Sequence, residues 1–589
     1  MLLFSISTFI FANIFALIGK TFFKKDLNLL SSIIVGIFLF GLFNIVFSLF
    51  FKLTSLLYFI CIIFFIVISL RNFSSIKHKE YITVFLLSLI ASLFSNNIEP
   101  GYDAGLYHFP FQNWIADNGI SFGLVNFNHR FANSSLLNFI NAPLWIGNDP
   151  FLLINISLIF YLIFFLKIID FLESDELYLK LVGLISILTF PLWYRYQTQN
   201  FGLVDVPFSI LYFILVTQLM PSIISSSTQK DINILYINII LFCLVISFKM
   251  SGILVCLIFI IYILKKNIIK LLFMKYRANF VLFFLVIIFF VSWFTHNIII
   301  SGCINPYIYI TCLNVEWSNF DYIKMLNEQN LEWRDKIVDY KILIQYLKPS
   351  YILIILLSLF LNFYVLKKLY KNKNNYLIYS FIFIILIFYF YLTSNFQNLE
   401  NFYKNLNVFN SDQKYEILKY EIISILMVYF ISYNLILLLI LNKIKKINLE
   451  RLNYKYLYII IVFTFSIFMW LSKNPDPRLG IHFFMLMGPI AIFLTLGTFK
   501  LENYDYKKFY NFILIIFFTL FATNFQFPNL LKNNYQNVTK IKTFKREGFG
   551  VKPDLKVNNL CWLEDNCYYY NDDLIINKMF GKIKFIDLN

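Results

Sequence analysis

The stretch Ala278-Asn-Phe-Val-Leu-Phe-Phe-Leu-Val-Ile-Ile-Phe-Phe-Val-Ser-Trp-Phe-Thr-His-Asn-Ile-Ile-Ile300 decides the fold class. It contains no Lys, Arg, Asp or Glu. At 1.5 Å per residue a helix of this length covers roughly 34 Å, enough for a bilayer core of about 30 Å. Only helices and closed barrels cross lipid, and a strand does not run this long. Similar runs recur near 2–18, 28–51, 53–70, 81–95, 150–168, 180–194, 206–220, 232–248 and 251–264. More follow near 349–366, 376–393, 420–441, 457–472, 483–499 and 509–525, about sixteen in all. Several are short enough to be tilted or half-buried helices.

Composition agrees. The chain has 589 residues, 59% hydrophobic, 20% aromatic and 14% charged, with a mean hydropathy of +0.70. Soluble domains carry about 25% charge and disordered chains are poor in apolar residues, so both classes are excluded. The expected architecture is an all-α polytopic membrane protein of about 14–16 transmembrane helices. The net charge of +17 then has no need of nucleic acid. It reads as the cytoplasmic excess of Lys and Arg found in membrane proteins.

The basic residues fall in short linkers: Lys20, Lys24 and Lys25, then Arg71, Lys77 and Lys79, then Lys265, Lys266, Lys270, Lys275 and Arg277. If the spans alternate, these linkers and the later basic ones share one side, the cytoplasm. The first run has neither a basic leader nor a small-residue cleavage site, so it reads as a span. Segments 1–80, 81–300, 301–525 and 526–589 are expected to be N-terminal helices, a central module, a C-terminal helical region and a small outer tail. The long polar segments, including 96–149 and 301–348, fall outside, in a bacterial cell membrane.

Four outer pieces carry candidate chemistry. In the first loop, Pro100 and Gly101 mark a turn. Leu106, Phe109, Trp114 and Ile115 then suit the apolar face of an interfacial helix. Asp103 near its start is either a general base, if burial raises its pKa from about 3.9, or a helix N-cap. Asp205 before Val206-Pro207 is a boundary acid or a cap. Lys249 lies at an outer hairpin against the charge trend; it either holds a phosphate or carboxylate or snorkels. Arg478 in Asn474-Pro-Asp-Pro-Arg-Leu-Gly-Ile-His suits bidentate phosphate binding, or pairs with Asp476.

These pieces, in this order and sidedness, resemble the GT-C superfamily of polytopic membrane glycosyltransferases. The resemblance covers about 220 residues and implies a GT-C-like helical bundle, with Asp103 catalytic and inversion at the sugar. The superfamily's paired acids are met loosely by Glu99 and Asp103, four apart with Pro100 between. That leaves open whether a divalent metal ion is the cofactor. Three spans precede the module, which the superfamily's usual start does not have. Tyr102-Asp-Ala-Gly-Leu-Tyr-His, Gly123-Leu-Val-Asn-Phe-Asn-His-Arg-Phe-Ala-Asn-Ser-Ser, Ser301-Gly-Cys-Ile-Asn-Pro, Asn314-Val-Glu-Trp, Pro477-Arg and Cys561-Trp are also similar to an uncharacterised family of bacterial polytopic membrane proteins. That family brings no established reaction.

His108 falls about one and a half turns beyond Asp103, so spacing implies no Asp–His dyad. His129 and Arg130 lie in a Gly/Asn-rich stretch; Arg130 is a phosphate contact or an interfacial charge. Zinc spacings are absent. Cys303 and Cys312 share one outer loop and Cys561 and Cys567 the tail, a pattern that suggests disulfides in an oxidising compartment. The tail is too short for a large catalytic domain and reads as a small cap, with β-prone runs such as Ile583-Lys-Phe-Ile.

The resulting expectation is an envelope glycosyltransferase. Its partners are a polyprenyl-phosphate-linked sugar donor entering from the membrane lipids and a glycan, lipid or protein acceptor. Asp103 is the base. Glu99, His108, His129, Arg130, Asp205, Lys249 and Arg478 bind substrate. A polysaccharide polymerase or ligase, using outer-loop Arg and His, is the alternative. A transporter or flippase fits less well, because transporters place ionisable groups near the midplane.

Overall fold

The structure is a computed structural model. It describes residues 2–23, 27–54, 77–93, 104–145, 151–198, 204–224, 232–249, 252, 255–264, 276–318 except 307, 480–496, strands between 544 and 587, and isolated positions at 56–67 and 462–466. Among them, five helices are long and apolar enough to cross a membrane: Leu2–Phe22, Leu29–Ser48, Leu152–Glu173, Asp205–Ile223 and Phe280–Ser301. Shorter apolar helices run at Tyr178–Ile187, Asn233–Phe248 and Ile481–Ile490. The protein is a helical multi-pass membrane protein. The phenylalanine-rich span Phe280–Ser301 turns Phe280, Phe283 and Val291 outward, a surface suited to lipid tails.

Helices α1 (Leu2–Phe23) and α2 (Leu29–Ser48) form an antiparallel pair in backbone contact. A Cβ on Gly19 would lie 2.0 Å from the Ser32 carbonyl oxygen, and one on Gly36 would lie 2.0 Å from that of Phe15. Lipid gives helices no hydrophobic reason to associate, so close packing through small residues has to do it. Asn28 caps α2 by accepting from the Ser31 N–H at 2.9 Å. The other end of α2 meets the long helix Tyr276–Ser301. There His296 Nε2 lies 2.8 Å from the Ile45 carbonyl and 2.9 Å from Ser48 Oγ. Those carbonyl and hydroxyl groups belong to the unsatisfied last turn of α2.

Helix α3 (His78–Leu93) packs on α1. Glu80 in its first turn accepts from the Lys77 N–H and from Lys20 Nζ, both at 2.9 Å. Lys20 is 3% exposed, so this pair fixes the ends of two helices where neither charge is left in lipid. Lys79 and Glu173 meet at the same end of the bundle, fully in the open. At the opposite end Asn155 accepts from Ser7 at 2.7 Å and Thr8 at 3.2 Å. The Lys20–Glu80 and Lys79–Glu173 pairs thus share one end, and the alternation of spans places the loop with Cys303 at the other.

That other end is roofed by short helices: a π-helical turn Ala104–His108, α4 (Phe109–Asn118), α5 (Leu124–Phe127), a 3-10 turn His129–Asn133 and α6 (Leu136–Asn141). The sequence places Phe109, Trp114 and Ile115 on a helix lying against lipid. The structure instead buries all three inside the protein, at 0–5% exposure. The reason is packing: the Phe109 ring meets Trp145 edge-on at 5.3 Å, and Trp114 meets Phe127 at 5.1 Å. The tail contributes antiparallel hairpins, β1–β2 (Phe544–Lys545, Val551–Lys552) and β3–β4 (Leu574–Met579, Lys582–Asp587). Strand β4 lies against α5, so the tail reaches this roof. The runs expected near 349–366, 376–393, 420–441 and 509–525 lie outside the described residues.

Replacing Gly36 by Leu should abolish folding into a monodisperse detergent-solubilised protein, because its Cβ has only backbone to displace. Gly41→Ala, whose Cβ would meet side chains at 3.2–3.3 Å, should lower the melting temperature only modestly. Size-exclusion profiles and thermal melts of the two variants test this.

Candidate functional site

Asp205 opens the helix Asp205–Ile224, and Lys249 follows the last turn of Ile232–Phe248. Pro207 sits in the first turn of its helix, where a missing N–H breaks no bond. The Lys249 Nζ donates to Asp205 Oδ1 in a direct ion pair. The side chains are 21% and 8% exposed, so the pair is screened far less than a surface bridge. Lys249 therefore does not simply snorkel to water.

The turn after Lys249 holds this geometry. The Gly252 N–H donates to the Lys249 carbonyl at 2.9 Å. A Cβ on Gly252 would come within 2.8–3.0 Å of Val245 and of the Phe208 ring. Phe208, one turn beyond Asp205, carries Lys249 Nζ 5.9 Å from its ring centre. A third segment closes the site. His482, at the start of Ile481–Leu496, stands 5.1 Å from the Phe208 ring and 4.9 Å from Tyr212. It is 3% exposed and lies within electrostatic reach of both Lys249 and Asp205. Its Nδ1 is buried and has no hydrogen-bond partner among the described residues.

A second cluster lies under the roof. His108 Nδ1 and Gln112 Nε2 both lie 3.2 Å from Asn138 Oδ1. Trp145 Nε1 donates to Gln112 Oε1 at 3.1 Å. The amide oxygen only accepts, so His108 carries its proton on Nδ1 here. The Tyr107 ring lies 4.2 Å from His108 and carries the Arg130 guanidinium at 5.9 Å. Spacing alone placed none of these contacts.

A disulfide-closed loop ties the roof to the bundle. Cys303 and Cys312 are joined by a disulfide. Gly302, at φ +77°, turns the chain out of its helix, a conformation that glycine adopts without strain. Trp317 then folds back, its Nε1 donating to the Ile298 carbonyl at 3.0 Å. It also packs on Phe122 at 4.9 Å, and its carbonyl accepts from Asn126 at 3.2 Å. Gly123 N–H donates to the Ile299 carbonyl at 2.9 Å, and Asn297 Nδ2 donates to the Ile304 carbonyl at 2.9 Å.

Of the residues singled out in the sequence, Asp205 and Lys249 meet, and His108 and Arg130 form a separate group on either side of Tyr107, which the sequence did not single out. His129 lies on the 3-10 turn His129–Asn133. Glu99, Asp103, Arg478, Cys561 and Cys567 lie outside the described residues. The sequence did not single out His482, Phe208, Tyr212, Asn138 or Gln112 for the site. Only His482 had a visible signal, as the end of the polar stretch that begins at Asn474. Among the described residues, no group of three or more His, Cys, Asp or Glu side chains is gathered to hold a metal ion.

Lys249→Met should take the ammonium partner from the buried Asp205 carboxylate and cost about 3 kcal/mol. The double variant Asp205→Asn/Lys249→Met should recover much of that loss. Thermal melts of the singles and the double measure the coupling.

No curated protein and no solved structure matches the chain. A protein family described as Domain of unknown function (DUF8201) matches residues 1–394, a segment that contains the roof, the disulfide loop, Asp205 and Lys249. The chain belongs to the DUF8201 family.

Proposed function

We propose that the protein is an integral-membrane glycosyltransferase of GT-C type. It moves a sugar from a polyprenyl-phosphate-linked donor to an envelope glycan, lipid or protein acceptor at the extracytoplasmic face of a bacterial membrane. The observation that carries this is the meeting of Asp205, Lys249 and His482 at the end of the bundle away from Lys20 and Glu80. A charged site at a membrane edge suits a donor whose phosphate sits at the surface and whose chain stays in lipid. The Cys303–Cys312 disulfide at the same end supports an oxidising, extracytoplasmic face.

In the reaction, the acceptor oxygen attacks the anomeric carbon and its proton passes to Asp103. The bond between that carbon and the phosphate oxygen breaks with inversion, and the phosphate keeps the electron pair. Lys249, with Arg478 as a further cation, offsets the charge that develops on the phosphate. Asp205 holds the Lys249 ammonium in place. That same ammonium makes Asp205 a poor ligand for a divalent ion.

The cluster of Arg130, Tyr107 and His108 favours a second reading, a polysaccharide polymerase or ligase that works through the outer loop. Separate Asp103→Asn and Arg130→Ala variants discriminate between the two. In a host whose own copy is removed, Asp103→Asn should leave the glycosylated polyprenyl phosphate unconsumed, read by mass spectrometry of extracted lipids. A stably inserted Asp103→Asn protein that restores full consumption sinks the glycosyltransferase mechanism.

A further inference from the structure

We infer that Lys249 and His482 together hold a phosphate monoester beside the ring of Phe208. This rests on the glycosyltransferase reading for its substrate, but the binding site stands on observations of its own. An ammonium has three N–H donors. Among the described residues, Lys249 Nζ spends one on Asp205 and lies over the Phe208 ring. His482 brings a further polar atom to the same ring. Its imidazole is fixed by Phe208 at 5.1 Å, Tyr212 at 4.9 Å and Phe483 at 3.9 Å.

The Nδ1 of that imidazole is buried with no hydrogen-bond partner among the described residues. A buried polar atom left without a partner costs stability, about 1–3 kcal/mol. A phenylalanine would keep the aromatic packing without that cost, so packing alone does not account for a histidine here. An oxyanion with several oxygens can accept from Lys249 and His482 at once. Asp205 already neutralises one unit of charge, so the ligand approaches Lys249 from the side away from it. Gly252 keeps the turn close enough to hold Phe208 as one wall, since a Cβ there would lie 3.0 Å from that ring.

The packing and binding roles of His482 make opposite predictions for His482→Phe. Full-length protein in lipid nanodiscs would be titrated with citronellyl phosphate, inorganic phosphate and citronellol, following thermal shifts and calorimetric affinity. The wild type should bind citronellyl phosphate and not citronellol. His482→Phe should bind it about tenfold more weakly while melting at or above the wild-type temperature without ligand. His482→Asn, which keeps a polar atom, should bind with intermediate strength. Weaker binding of inorganic phosphate assigns the site to a lipid phosphate, and equal binding assigns it to free phosphate.

Unchanged affinity in a folded His482→Phe protein overturns the inference, as does wild-type binding no better for the phosphate than for the alcohol. The two proposals fail separately. If Asp103→Asn stops sugar transfer while His482→Phe binds normally, the transferase stands without this site. If phosphate binding depends on His482 while Asp103→Asn transfers normally, the site stands without that transferase mechanism.

Discussion

Inside a bilayer no water is present to satisfy peptide groups or charges, and the described parts of this protein meet that demand with groups of their own. The spans take their backbone bonds internally. Where they end, partners from other segments finish the work: Asn28 for the start of α2, His296 for its end, and Glu80 for the start of α3. The charges follow the same rule. Lys20 is matched by Glu80 at one end of the bundle and Lys249 by Asp205 at the other. An unpaired charge in either place would cost several kcal/mol.

Much of this was legible in the sequence because a membrane makes apolar length a direct signal. The runs at 232–248 and 278–300 match the helices Ile232–Phe248 and Tyr276–Ser301 to within a residue or two. The pairing of Lys20 with Glu80 was not legible. The two are 60 residues apart, and the signal of a basic linker says only which side it is on. The roof was misread for a related reason. An apolar stripe on a short helix looks the same whether it faces lipid or protein, and the aromatic partners that bury Phe109 and Trp114 lie further along the chain. The place of His482 in the site was not legible because its neighbours Phe208 and Tyr212 lie on a distant helix and are ordinary apolar residues by composition.

The roof and the disulfide loop share a division of labour. The short helices present polar side chains, and where they stand is fixed by the loop at Gly302–Ser318, through Trp317 and Asn126, and by the helix end before it, through Gly123 and Ile299. Closing so small a loop removes chain entropy worth roughly 2–3 kcal/mol from the unfolded state. It therefore anchors the loop without needing a large apolar core outside the membrane. The motifs that ran Gly123-Leu-Val-Asn, Ser301-Gly-Cys and Asn314-Val-Glu-Trp look unrelated along the chain, yet in space they form one joint.

The contact of α1 with α2 has a consequence for how the protein is made. With Gly19 against Ser32 and Gly36 against Phe15, no lipid chain fits between the two helices at those levels. The two helices are adjacent in the sequence and joined by a short linker, so the contact is available as soon as both have left the ribosome. The first pair can then enter the bilayer as a single preformed wedge, and helix Phe151–Glu173 and its successors meet a surface already shaped to receive them.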